Sequence, residues 1–328
     1  MGKREKDVHA FEKGGSSWVR IVLLLVTSVA CAQSQQGATA EHHYAKGGRL
    51  ERPSKERVQK FAAAAKRALE QYQLKLNLHA PEAQQPAAAP SSTGAASSMK
   101  RGTAVPHKAA AVTDPVFSWR HVISFNTNED QGQCGSCYIF AGVGALEENW
   151  AMQHLNQSIV ASQQLVLNCV GTCSGGYVST VMEFLTGKGT SKGTVDGYTG
   201  IPANCSFNLP LPYQGVAAAY VASDGGMPTE SDLKAAILKY GPIAAFIYAG
   251  GTFDNWWGTK EPAVISDNSS GDDNGHLVLI TGWNDAGNIN AWEIKNSWGS
   301  TWGDDGFAYV RKGIRDLGDN AMWIIAVP

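Results

Sequence analysis

The sequence has little charge of either sign, and this scarcity excludes one large class of function. Only 17% of the 328 residues are charged, and the formal net charge is -2. A nucleic-acid-binding surface needs clustered lysine and arginine, and the sequence has no such footprint. It also has no internal repeat or heptad run. Because 43% of the residues are hydrophobic, a substantial core is still expected. We therefore expect a globular protein without a nucleic-acid partner.

The sequence also lacks an apolar run long enough to span a membrane. The run from Ile21 to Ala30 is about half the length of roughly 20 residues that a spanning helix needs. Basic residues precede it and the small triplet Ala30-Cys31-Ala32 follows, which is the order of a secretory signal with an A-x-A cleavage site. We expect a signal peptide over 1-32 and no stable membrane span after its removal. A retained anchor and a bacterial lipoprotein site at Cys31 remain alternatives.

Cysteine is scarce, and none follows Cys205. Removal of the signal peptide with Cys31 leaves five cysteines, an odd number, so one thiol stays free where the others pair in an oxidising compartment. The N-x-S triplets at Asn156, Asn204 and Asn268 are glycosylation candidates in a eukaryotic host.

The rest of the chain divides by composition. Apolar residues at three- and four-residue steps predict one amphipathic helix from Val58 to Leu76, and the Ala-, Pro- and Ser-rich stretch over 81-112 predicts a flexible linker. Globular composition begins near Asp114. Helical spacing follows first, with caps predicted at Ser162 and Thr229. After Gly241-Pro242 come five β-rich runs: IAAFIYA, HLVLITGW, AWEIKNSW, FAYVRKG and MWIIAVP. This order predicts an α+β fold.

The stretch DQGQCGSCYIF contains Cys134 and Cys137 in a C-x-x-C pair. Such a pair can be a redox dithiol, half of a zinc site, or a nucleophile beside a structural cysteine. The strands cluster at the far end of the chain, which disfavours a thioredoxin-type βαβ unit. A zinc site that used Cys169 and Cys173 would have C-x-x-x-C as its second pair and would leave Cys205 unexplained.

The nucleophile hypothesis requires a base and a group that orients it. His121, His154 and His276 lie in the globular region, and only His276 opens an apolar strand-like run. Asn296, in KNSWGSTWG, could hold the second ring nitrogen of the imidazole. The nearby indoles of Trp298 and Trp302 could keep water off that hydrogen bond.

Four motifs now agree in order and rough spacing with one family. DQGQCGSCY, NCVGTCSGGY, GHLVLITGW and KNSWGSTWG resemble the papain-like cysteine peptidases, the cathepsin family, over about Val116 to Pro328. The resemblance implies two lobes, a helical left lobe over about 111-215 and a β-barrel-like right lobe over about 216-328, with the active site in the cleft between them.

The resemblance also implies the role of each catalytic residue. Cys137 is the nucleophile, His276 the base, Asn296 its orienting residue, and Gln131 a donor to the oxyanion. No metal or organic cofactor is required. The start of a helix at Cys137 independently favours a thiolate there.

Disulfides and substrate contacts are implied in the same way. The family pattern pairs Cys134 with Cys173 and Cys169 with Cys205. Further residues are expected to line the substrate cleft: Gly175, Gly176, Leu277, Phe246 and Trp298.

The activity implied is that of a secreted or lysosomal (vacuolar) cysteine endopeptidase made as a zymogen, with residues 33-110 as propeptide. Its expected partners are a peptide or protein substrate and cystatin-like inhibitors, and it is expected to be a monomer. An exopeptidase variant and a catalytically weak homologue that only binds peptides or partners are the alternatives.

Several residues depart from the family pattern. Tyr138 stands where tryptophan is commoner, Gly275 replaces the usual Asp or Asn before the histidine, and Leu277 replaces the usual alanine after it. Two large apolar walls, Leu277 and Phe246, predict a shortened specificity pocket that prefers small aliphatic side chains.

Overall fold

The computed structural model of the chain describes residues 45-79, 110-126, 129-154, 157-256, 263-271 and 275-327, with only the backbone of 73-79. The predicted signal peptide, most of the predicted linker and the glycosylation candidate Asn156 lie outside the described residues.

The central helix α2, Cys137–Gln153, follows directly from the C-G-S-C motif. Nearly all its residues are buried because apolar and small side chains occupy every face of the helix. Two shorter helices pack beside it, α3 at Gln163–Val170 and α4 at Val178–Gly187. The side chain of Ser162 accepts a hydrogen bond from the backbone N–H of Leu165, which confirms the predicted cap.

Among the described residues, eight strands form a single sheet. They are β1 Val116–Ser118, β2 Gly215–Tyr220, β3 Ile243–Tyr248, β4 Val264–Ile265, β5 Gly275–Asn284, β6 Ala291–Lys295, β7 Phe307–Arg311 and β8 Met322–Ala326. The five predicted β-rich runs correspond to β3, β5, β6, β7 and β8. The prediction did not include β1, β2 and β4.

The strand order is β2-β8-β3-β5-β6-β7-β4, and β1 pairs with β5 outside this path. The long strand β5 pairs with three neighbours, and a register shift between Ile280 and Gly282 lets it bend. Within the described residues the sheet is open. The predicted α+β fold is confirmed, with its strands gathered in one large sheet that is not a closed barrel: among the described residues, the two-residue strand β4 pairs with β7 and no strand continues from it toward β2.

Helix α5, Glu230–Tyr240, lies between β2 and β3 in the chain. Its first turn is capped as predicted, since the Thr229 side chain accepts from the backbone N–H of Asp232. Gly241 ends the helix with φ 85°, a conformation that suits glycine.

The predicted amphipathic helix is α1, Lys55–His79. It packs along β2, and its apolar side chains Val58, Phe61 and Ala65 are 4–6% exposed. The rings of Phe61 and Tyr220 meet edge to face at 5.6 Å. Among the described residues, no helix combines the length and the apolarity needed to cross a membrane.

Candidate active site

The thiol of Cys137 lies at the start of α2 and is fully buried. It is the free cysteine of the described chain, because the structure contains the disulfides Cys134–Cys173 and Cys169–Cys205. Burial raises the pKa of Cys137 to about 12, although backbone N–H groups of Leu277, Gly47 and Tyr138 oppose that rise. In this closed state the group is therefore a neutral thiol.

His276 lies across from it on β5, adjacent to Leu277, whose backbone N–H reaches the thiol. Its Nε2 lies 2.7 Å from Oδ1 of Asn296, and among the described residues its Nδ1 has no hydrogen-bond partner. Burial lowers the pKa of His276 to about 4, against the hydrogen bond with Asn296. The Nδ1 atom is thus the ring nitrogen left for exchange of a proton with the thiol.

Aromatic rings shield this pair. Trp298 lies 4.7 Å from the imidazole and Phe253 lies 5.9 Å from it, measured between ring centroids. Trp302 packs on both of these rings and donates its indole N–H to the carbonyl of Phe253 at 2.8 Å. The bond between His276 and Asn296 is consequently protected from water, as the sequence predicted for the two indoles.

Gln131 is fixed by the turn that follows Asn296. Its backbone N–H donates to the carbonyl of Ser297 at 2.9 Å, and its Oε1 accepts from the Ser297 hydroxyl at 2.7 Å. This leaves Nε2 to donate, and it does so to the carbonyls of Ala45 at 2.8 Å and Cys134 at 3.0 Å. The side-chain amide of Gln131 therefore donates to one carbonyl of the segment before Lys46 and to one carbonyl of its own loop.

A buried ion pair ties the loops of Gln131 and Asn296 together. Lys295, next to Asn296, pairs with Glu129, which also accepts from Gln163 at 2.5 Å. Burial acts to lower the pKa of Lys295, but Glu129 and its neighbours raise it above the ordinary value. Removing one partner of such a buried pair typically costs about 3–5 kcal/mol, because the other charge is left buried without compensation.

The cleft is occupied by the segment Ala45–Arg49, which we call the strap. Gly48 donates to the carbonyl of Gly275 at 3.0 Å, and Arg49 donates to the carbonyl of Gly176 at 3.0 Å. Gly176 in turn donates to the carbonyl of Gly47 at 2.9 Å. The strap therefore extends the binding edge of Gly176 as a short parallel bridge.

Only glycine fits at the centre of the strap. A Cβ atom on Gly47 would lie 2.0 Å from the carbonyl oxygen of Gly135. A Cβ on Gly48 would lie 2.4 Å from both the backbone of His276 and the side chain of Leu277. The strap thus passes between the Cys137 loop and His276 at backbone contact distance, and it covers both.

A cavity of about 490 Å³ lies beside the strap. Its lining includes Phe246, Tyr248, Ser174 and Tyr177, together with the strap itself. Leu277 is the register partner of Phe246, but Gly48 covers it and it is not among the residues that line this cavity.

The disulfides brace the other cleft wall. Cys134–Cys173 joins the Cys137 loop to the segment of Gly175 and Gly176, and Gly135 donates to the carbonyl of Cys173 at 3.0 Å. Gly175 has φ 95°, which favours glycine. The ring of Tyr138 packs beneath Gly176, where an added Cβ would meet it at 2.7 Å. The structure therefore brings the predicted residues of both walls to one cleft.

Sequence analysis missed three residues of this region. Ser297 is part of the N-S-W motif, and its hydroxyl could have been considered as a partner for Gln131. Lys46 and Asp254 form an ion pair at 2.5 Å beside the site, although 208 positions separate them in the chain. No local pattern indicates that contact.

Comparisons with known proteins agree with this geometry. The family model described as papain family cysteine protease matches residues 114–325. A viral cathepsin of Adoxophyes honmai nucleopolyhedrovirus is 32% identical over 210 residues, which cover 62% of this chain and 59% of that protein. Cathepsin F of Mus musculus is 30% identical over 218 residues, which cover 65% of this chain and 46% of that protein. The matched region therefore spans less than two thirds of each relative.

A solved structure shares the fold. The bromelain protease from Ananas comosus, in complex with the E64 inhibitor, superposes with a TM-score of 0.56 at 24% identity, covering 65% of this chain and 99% of that one. At this identity the likeness concerns the fold alone. Because the family model matches well over half of the sequence, the chain belongs to the papain family of cysteine proteases.

Proposed function

We propose that this chain is the latent precursor of a cysteine endopeptidase. The observation that carries the proposal is the convergence of the Cys137 thiol, the His276–Asn296 pair and the Gln131 amide on a cleft that binds an extended backbone. Nucleophile, base, orienting residue and oxyanion donor are the groups that acyl transfer requires.

The proposed reaction begins when the strap leaves. Once the site is solvated, the proton of the Cys137 thiol moves to Nδ1 of His276, and the thiolate attacks the substrate carbonyl carbon. Nε2 of Gln131 and the backbone N–H of Cys137 stabilise the oxyanion. The imidazolium then protonates the leaving amine, and water hydrolyses the thioester. Losing one oxyanion donor typically lowers turnover about 100- to 1000-fold.

Latency is supported by the strap. In the closed state Nε2 of Gln131 donates a hydrogen bond to the carbonyl of Ala45. Gly47 and Gly48 cover the thiol and the imidazole. We propose that residues 33 to about 110 form the propeptide, which contains both the strap and α1, and that it is cut within the linker. One solved structural neighbour is the digestive procathepsin L 3 of Tenebrio molitor larval midgut, whose name denotes a precursor form of that protein.

Endopeptidase action is favoured by the way the strap binds. The strap is an internal segment of the chain, so the cleft accepts a peptide backbone without a free terminus. Two disulfides suit the oxidising secretory route, with an extracellular or lysosomal destination. A monomer that cystatin-like inhibitors recognise is part of the same proposal.

Specificity is proposed to depend on Leu277 and Phe246, the register partners beside Gly48. After the strap leaves, Leu277 would face the substrate side chain two positions before the scissile bond. Small aliphatic residues should be preferred there, and Leu277→Ala should shift the preference toward phenylalanine by about tenfold, since one methylene is worth about 1–3 kcal/mol. A peptide library profiles both proteins. A wild-type preference for phenylalanine or arginine would refute this assignment.

The activity itself is tested with Cys137→Ser. The activated variant should show no measurable peptide hydrolysis, while circular dichroism and thermal unfolding should match those of the wild type. A thiol-reactive epoxide peptide should label activated wild-type protein at Cys137 alone. The matched control is Ser136→Ala, which leaves the thiol in place and should keep measurable hydrolysis. Equal hydrolysis by Cys137→Ser and the wild type would contradict the proposal, and no hydrolysis by any folded, cleaved chain would favour a peptide-binding homologue.

A further inference from the structure

The ion pair between Lys46 and Asp254 lies beside the proposed base rather than on a remote surface. Asp254 directly follows the 3-10 turn Gly251–Phe253. One carboxylate oxygen accepts from the backbone N–H of Gly250 at 2.8 Å, and the other contacts the Lys46 ammonium at 2.5 Å. The Asp254 side chain is 29% exposed and that of Lys46 is 18% exposed, so water screens this pair only partly.

Phe253 connects this carboxylate to His276, because its ring packs against the imidazole at 5.9 Å. Among the described charged groups, those that act on the imidazole have opposite signs. Burial has the largest effect and lowers the pKa of His276. Asp254 raises that pKa against burial, whereas Lys46 of the strap lowers it further.

The other titratable groups near His276 differ from Asp254 in their observed partners. The Cys137 thiol shares the site, and Tyr248 lies one register position away on β3. Asp130, which bridges to Trp298, accepts from the backbone N–H of Gly132 at 2.8 Å. Behind Asn296, Lys295 is paired with Glu129. Among these groups, Asp254 is therefore the carboxylate near the imidazole that is paired with a cation of the strap, Lys46.

We propose that Asp254 is a positioning residue for the cysteine protease reaction, which stabilises the imidazolium of His276 after the strap has left, and that Lys46 neutralises it while the strap is bound. This inference rests on the proposed function. Departure of the strap then does two things together, because it uncovers the thiol and removes the cation that balances Asp254.

The sign of the effect follows from Coulomb's law. A carboxylate near the site favours the imidazolium and disfavours the thiolate. The imidazolium sets the upper end of the pH range in which the ion pair exists. Loss of Asp254 should therefore move that upper limb to lower pH.

The test uses the full chain opened by Gly48→Ala, in which the added Cβ displaces the strap. The rate of Cys137 alkylation by iodoacetate, an anion that reacts fastest while the imidazolium is present, is measured across the pH range, with and without Asp254→Asn. The asparagine can still accept from Gly250, so the turn is retained. The midpoint of the upper limb should move to lower pH by about half a unit to one unit, a shift typical of a partly screened neighbouring charge. Asp254→Glu should restore most of it, and the exposed control Asp305→Asn should leave it in place.

An upper limb that is unchanged in Asp254→Asn would overturn the inference, as would an equal shift in Asp305→Asn. If Asp254→Asn does not fold, Asp254→Ser removes the same charge and gives the same test. Alkylation reports ionisation without requiring hydrolysis. A shifted limb in a chain that cleaves no peptide would contradict the proposed function and leave the role of Asp254 on His276 standing. An active enzyme whose upper limb does not shift would support the proposed function and contradict the role of Asp254.

Discussion

The two ends of the segment that closes the cleft are held in different ways. In the cleft, Gly47 and Gly48 have no side chains, and backbone hydrogen bonds alone hold them. Just outside the cleft, Glu51 is held through its carboxylate, which accepts from the hydroxyls of Ser179 at 2.6 Å and Tyr220 at 2.7 Å. Main-chain shape therefore blocks the site. Apart from the Lys46–Asp254 pair beside the imidazole, the side-chain contacts described here that retain the segment lie away from the chemistry.

Further contacts strengthen the outer end, which we call the anchor: Glu51 together with its partners. Arg57 of α1 pairs with the Glu51 carboxylate at 3.1 Å. Asn320 accepts from the backbone N–H of Glu51 at 2.6 Å and donates to its carbonyl at 3.1 Å. Burial and the Glu51 carboxylate raise the pKa of Tyr220, so its hydroxyl remains a donor at neutral pH.

The largest effect is expected when the cleft end is broken. Gly48→Ala places a Cβ 2.4 Å from the backbone of His276. The backbone of strand β5 cannot move easily, so the strap is expected to be displaced. Overpacking of this kind costs about 1–3 kcal/mol or more, so Cys137 in the uncut chain should alkylate about 100-fold faster at neutral pH. The control is Gly187→Ala, because a Cβ there meets nothing within 4 Å. Equal rates in the two variants would show that the strap does not depend on the close approach at Gly48.

A somewhat smaller effect is expected from acid, which acts on the cleft end alone. Burial lowers the pKa of His276 from 6.5 to about 4, so the closed state holds the neutral imidazole. Its stabilisation is complete above about pH 6.5 and is lost as the pH falls toward 4. Strap opening should therefore rise roughly 20-fold between pH 7 and 5 through this group.

Hydrogen exchange at the amides of Gly48 and Arg49, corrected for its intrinsic pH dependence, measures this opening. His276→Gln, with a neutral amide at every pH, is the control and should lose most of the dependence. An unaltered dependence in His276→Gln would assign the acid response to other groups.

The smallest effect is expected at the anchor. Glu51→Gln keeps the shape of the side chain but removes the charge that Arg57 and the two hydroxyls bind. Because hydrogen bonds to charged groups contribute about 1.5–3 kcal/mol and the amide retains part of that, alkylation of Cys137 in the uncut chain should rise about tenfold. The control is Glu56→Gln, an exposed glutamate in the first turn of α1. If Glu51→Gln behaves like Glu56→Gln, the anchor does not retain the strap.

Local sequence was sufficient to predict structure where the interacting residues lie within one short segment. The caps at Ser162 and Thr229 and the helix at Lys55–His79 follow from residues three or four positions apart. Gln131, Cys137, His276 and Asn296 were predicted together because their motifs are family-specific, and the structure brings them to one cleft.

Long-range contacts could not be predicted in this way. The β-rich runs were predicted, but the sequence did not show which distant strands pair, and the order of the strands in the sheet depends on those pairings. The propeptide was predicted as residues 33-110, and the sequence did not indicate which part of it enters the cleft. In the structure α1 packs on β2, and a short glycine segment before it enters the cleft. Two glycines carry no hydrophobic or charge pattern, so only their three-dimensional contacts reveal their role.

We have proposed that the full chain is a cysteine protease whose own strap closes the site. This is tested most directly by following, in one time course, cleavage within the linker, labelling of Cys137 by a thiol-reactive epoxide peptide, and hydrolysis of a peptide substrate. We expect almost no labelling or hydrolysis of the uncut chain, with both appearing together once cleavage and release of the strap have occurred. Labelling and hydrolysis by the uncut chain at the rates of the cut and released enzyme would contradict it.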